Sequence, residues 1–122
     1  MNADKIEKIF VRLSQLDAVV KSVVELEGRD CTSYGWNSLD IVASLIMVAD
    51  REAQEIFKIA EGDYCGADLY SVTAQTRALA DHDLRINDKE SISRMYSLAL
   101  IAERLISEAR AKVGKYAMKM AV

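Results

Sequence analysis

Apolar side chains recur through residues 88–120 at alternating spacings of three and four: Ile92, Met95, Ala99, Ala102, Ile106, Ala109, Val113, Tyr116 and Met120. A seven-residue repeat of that length is the seam of a helix lying along a near-parallel neighbour. The first stretch of the chain is built the same way. Ile6, Ile9, Leu13, Leu16, Val20 and Val23 form a seam over Ala3 to Glu27, with Lys5, Lys8, Arg12 and Gln15 on the wet side. Gly28 stops that helix and opens a loop rich in turn residues that runs to Trp36.

A second helix starts at Asn37 or Ser38 as N-cap, with Asp40 in its first turn, and runs to about Glu61 before Gly62. Its seam is Leu39, Val42, Ile46, Ala49, Ala53, Ile56 and Ala60. A shorter third helix covers about Ala67 to Asp81, with Leu69, Val72, Thr76 and Leu79 inward. Asn87 then caps the fourth, and Glu90 three residues later completes a capping box. Four helices with short connections predict an all-α fold, an antiparallel four-helix bundle with a long C-terminal helix.

Two segments are apolar on more than one face. Ile41, Leu45 and Val48 form a second stripe on the second helix, and Leu98, Ile101 and Leu105 form one on the fourth. Leaving six such side chains in water forgoes on the order of 10 kcal/mol of burial, less for a compact unfolded chain. The fourth helix, nearly 50 Å at ~1.5 Å per residue, also outruns the first two at ~36 Å, and Tyr116 and Met120 lie on its overhang. The expectation is a homodimer, with these eight residues at its interface. The alternative turns on Gly114. As a C-cap it would end the helix at Val113 and leave a basic tail, although the apolar spacing continues past it.

Composition sharpens this reading in one place. The 122 residues contain no proline, where roughly six are average, which favours long unbroken helices. Apolar residues at 51% and charged residues at 29% fit a single folded domain over residues 1–122. The net charge of −3 disfavours a general nucleic-acid binder. Arg110, Lys112, Lys115 and Lys119 nonetheless follow one another without an intervening acid. Cations there complement a helix C-terminus, and a nucleic-acid-binding dimer using that basic helix is one alternative. The greasiest window, Leu39 to Ala49, spans 11 residues and contains Asp40, too short to cross a membrane. With no secretory signal in the first residues, a cytoplasmic location is expected.

Chemistry has few candidates. His82 is the only histidine, and Leu79 stands where a Glu-x-x-His metal motif needs its acid. A lone histidine in an acidic four-helix chain resembles the plan of histidine-phosphotransfer domains, and His82-Asp83-Leu84-Arg85 resembles part of their motif. Those domains set the histidine mid-helix beside a small residue, whereas Ile86 takes that place here and Asp81 and Asp83 would repel a phosphoryl group. A signalling domain using His82 is the alternative from that class. Cys31 and Cys65 flank the second helix, separated by ~35 Å, beyond the reach of an intrachain disulfide. There is no glycine-rich phosphate loop, no zinc-spaced cysteine pair and no nucleophile constellation. Tyr34, Trp36, Tyr64 and Tyr70 lie at or near the loops, as plugs of the bundle ends. The sequence therefore predicts a non-enzymatic regulatory, adaptor or inhibitor protein of bacterial or phage type, without catalytic residues, cofactor or metal. Its partner is a second copy or another protein.

Overall fold

The computed structural model describes residues 3–27, 38–60, 66–81 and 89–120. Among them are four helices and no strand: α1 (Ala3–Glu27), α2 (Ser38–Ile59), α3 (Gly66–Ala80) and α4 (Lys89–Met120). Each boundary falls within two residues of the one the periodicity predicts. The helices pack against one another in a ring, α1 against α2 and α4, and α3 against the same two.

The predicted seams form the core. On α1 all six seam residues from Ile6 to Val23 are buried. On α2 Val42, Ile46, Ala49, Ala53, Ile56 and Ala60 are buried, and on α3 Leu69, Val72, Thr76 and Leu79. On α4 the seam residues Met95, Ala99, Ala102, Ile106, Ala109 and Val113 are buried. Leu39 and Ile92, also placed on seams, have side chains outside the described ones.

Side-chain size sorts by helix. The α1 seam is entirely Ile, Leu and Val, while three of the six buried seam residues from Val42 to Ala60 and three of the six from Met95 to Val113 are alanine. Large groups on one helix against small ones on its neighbours let the helix surfaces interdigitate at close range. The one polar seam residue, Thr76, stays satisfied because its hydroxyl donates to the Val72 and Thr73 carbonyls at 3.1 and 3.0 Å.

The core divides into two clusters. The larger joins Ile6 through Val20 to Ala49–Ala60, Leu69, Val72 and Ala102–Val113. The smaller gathers Val23, Val42, Ile46, Leu79, Met95 and Ala99. Polar clamps lie along the seams. Arg77 Nη1 donates to Asp50 Oδ2 at 2.9 Å, with Gln54 Nε2 on the same oxygen at 3.1 Å. Thr73 Oγ1 donates to the Ala53 carbonyl, and Gln75 Nε2 reaches the Leu98 carbonyl at 3.1 Å. The Phe57 and Tyr70 rings meet edge to face at 6.0 Å.

The fourth helix runs through Gly114 without a break. A Cβ added there would stand 3.3 Å from Cε2 of Phe10. The residue that looks like a helix stop is thus the place where a ring of α1 lies directly on the α4 backbone. Beyond Val113, Tyr116 and Ala117 rest against the larger core cluster, while Met118 is exposed.

Candidate functional site

The side chains expected at an interface divide into two groups. Leu45 and Leu98 are half-buried against the smaller core cluster, and Leu105 and Tyr116 against the larger. Val48 and Ile101 remain open, at 50% and 39% exposure. The side chains of Ile41 and Met120 lie outside the described ones, and His82, Cys31, Cys65, Tyr34, Trp36 and Tyr64 lie outside the described residues altogether. Four of the six whose side chains are described are thus partly covered within the chain, by the ring of neighbouring helices.

The structure adds exposed apolar residues that the second stripes do not include. Met47 stands beside Val48 on α2, and Leu100 beside Ile101 on α4. Because α2 and α4 occupy opposite corners of the ring, these two pairs face different directions. On α4 the exposed pair is flanked at helical spacing by half-buried Leu98 and Leu105, and on α2 by half-buried Leu45. The signal for Leu100 was present in the sequence as the fully apolar run Leu98-Ala99-Leu100-Ile101-Ala102.

A second feature is a groove of about 720 Å³ along the outer junction of α1 and α4. Phe10 forms one wall, and Ala111, Gly114 and Met118 line the α4 side. The Arg110 guanidinium lies 5.2 Å from the centroid of the Phe10 ring, a cation–π geometry. Its Nε is shielded from solvent and has no hydrogen-bond acceptor. Lys115 and Glu7 also line the groove. Two members of the predicted basic stripe are thus turned to this junction.

On the same junction Asp17 is buried and accepts from Lys21 Nζ at 2.8 Å. That hydrogen bond and the adjacent carboxylate charge raise the Lys21 pKa above its ordinary 10.5, with Glu103 adding to the effect and Arg110 opposing it. A shallower groove, beside the 3.4 Å Arg12–Glu52 ion pair, is lined by charges of both signs, including Asp4, Glu7 and Lys8. Among the described residues no group of three or more His, Cys, Asp or Glu is placed to hold a metal ion, and no helix is long and apolar enough to cross a membrane. Compared with known proteins, the chain matches no family model, no curated protein and no solved structure.

Proposed function

We propose that this chain is a non-enzymatic helical protein of the cytoplasm that works by contact with another protein, most simply as a homodimer of antiparallel four-helix bundles. The antiparallel arrangement is supported by the smaller core cluster. It brings together Val23 and Leu79, near the C-terminal ends of α1 and α3, with Val42 and Met95, near the N-terminal ends of α2 and α4. The paired contacts Asp50 to Arg77 and Ala53 to Thr73 run in opposite directions along α2 and α3.

The observation that carries the interaction reading is the strip on α4. Leu100 and Ile101 are 41% and 39% exposed, and Leu98 and Leu105 border them half-buried. Adjacent exposed apolar side chains of this size mark an association surface more often than isolated ones do. Arg104, one turn on from Leu100 and Ile101, and Glu108 after it are both exposed and 4.0 Å apart, so the apolar side chains have charged neighbours on the same face. Nucleic acid is a poorer fit, because Arg110 is stacked on Phe10 instead of standing free for phosphate.

Solution mass tests the proposal. Light scattering should give twice 13.6 kDa for the unaltered chain, and Leu100→Glu with Ile101→Glu should return it to monomer with helicity intact. A monodisperse monomer of the unaltered chain across micromolar to millimolar concentration refutes self-association.

A further inference from the structure

The groove between α1 and α4 has an apolar bed, a cation on each side and one acid. We propose that it binds an amphipathic anion: a carboxylate carrying an aliphatic chain. The chain would lie along Ala111, Gly114 and Met118 against the Phe10 ring, and the carboxylate between Arg110 and Lys115. This proposal stands apart from self-association through Leu100 and Ile101 and does not depend on it.

Size comes first. About 720 Å³ lies inside the roughly 300–1,000 Å³ typical of small-molecule sites, which are mostly apolar with a few placed polar groups. The bed is accessible because the α4 residues beneath it are small. Gly114 has no side chain, and Ala111 has one carbon.

Charge selects the ligand. Arg110 and Lys115 against Glu7 leave one positive charge in surplus. Five residues apart at about 100° each, Arg110 and Lys115 leave α4 on opposite sides of the Ala111–Gly114–Met118 line, so an anion between them faces both. The guanidinium is already ordered by its stacking on Phe10, and it carries a shielded Nε–H without an acceptor. That Nε–H, being shielded, stays out of a ligand's reach, but the fork of the guanidinium's terminal N–H groups at the groove suits a carboxylate. A second copy seated on this groove would instead bring its own surplus of cations against the first. A neutral or cationic amphiphile would leave the guanidinium unanswered.

Titration of the full chain with dodecanoate below its micellar concentration tests this, followed by calorimetry and by backbone amide shifts. The expected result is saturable binding of one molecule per chain, with shifts concentrated in residues 3–10 and 107–118. Arg110→Gln should weaken binding at least tenfold. Ala111→Trp, which fills the groove from an exposed position, should abolish it while leaving thermal unfolding unchanged. Leu100→Glu should leave it unaltered. Equal binding of dodecyltrimethylammonium, no saturable binding, or full binding by Ala111→Trp would overturn the proposal. So would a dimer that falls apart as dodecanoate binds with shifts in the groove, since the groove would then be the seat of a second copy.

Discussion

Replacing Gly114 with alanine separates two opposite pictures of the α4 tail by the sign of the stability change. If the helix ended at Val113, Gly114 would be a C-cap in the left-handed region, and alanine there would destabilise by about 1 kcal/mol or more. In the structure the helix continues to Met120, so alanine removes a helix-interior glycine, a gain of about 0.8–1 kcal/mol. The opposing cost comes from one contact. The new methyl would lie 3.3 Å from Phe10 Cε2 and 3.9 Å from Cδ2, a few tenths of an ångström inside ordinary carbon–carbon contact. Phe10 is half-buried and borders an open groove, so its ring can tilt at a cost near the low end of a rotamer distortion, about 0.5 kcal/mol. The net expectation is stabilisation by about 0.3–0.5 kcal/mol. Phe10→Leu removes the opposing contact, and in that background the alanine gain should rise towards about 1 kcal/mol. Urea unfolding followed by helical circular dichroism measures all four corners of the cycle. Destabilisation by Gly114→Ala in both backgrounds would refute the continuous helix.

Core truncation sets the scale for the rest. Ile56→Ala, at a fully buried position, should cost about 2–5 kcal/mol and lower the urea midpoint far more than Val11→Ala on the open face of α1. Arg77→Ala should cost about 1–2 kcal/mol, because it strips the 2.9 Å partner from the mostly buried Asp50 carboxylate. Arg104→Ala, in an exposed 4.0 Å pair, should stay within about 0.5 kcal/mol; equal losses would contradict that ranking. For Lys21 the folded pKa lies above its ordinary 10.5, so the stabilising contribution is complete below that pH and fades as pH rises through the folded value. The stability gap between the natural chain and Lys21→Met should therefore be present at pH 9 and vanish above the folded pKa, and a gap unchanged by alkali would remove Asp17 as the cause.

The seams were legible because periodicity alone fixes them. Every seam residue with a described side chain from Ile6 to Val113 is buried, since a three-four repeat leaves only one face that can meet a neighbour continuously. Thr76 was legible for the same reason, despite its hydroxyl. What periodicity leaves open is which helix borders each flank of a seam. Leu98 and Leu105 lie just off the α4 seam, and their angle about the helix is plain from spacing. Their half-burial depends on α3 standing on that side, where Gln75 reaches the Leu98 carbonyl. No local pattern in α4 encodes the position of α3. Leu45 too is partly covered, against the smaller core cluster, by neighbours that no pattern within α2 encodes.

Gly114 and Phe10 show the converse limit. Each has a common local meaning, a helix stop and a half-buried ring, and only their juxtaposition across α1 and α4 explains both. Once α4 is continuous, its added length no longer argues for a second copy, because Tyr116 and Ala117 find cover in the core of the same chain. The case for association then moves from the end of α4 to its middle, where Leu100 and Ile101 face outward. At about 1.5–3 kcal/mol for fully burying one such side chain, the two-fifths left exposed on each of the two is worth only about 1–2 kcal/mol per protomer, too little to hold a dimer against the cost of association. A stable dimer on that strip must also bury its neighbours Leu98, Leu105 and Arg104. Single substitutions at Leu100 or Ile101 should therefore weaken self-association by less than the pair does together, and only the pair should abolish it.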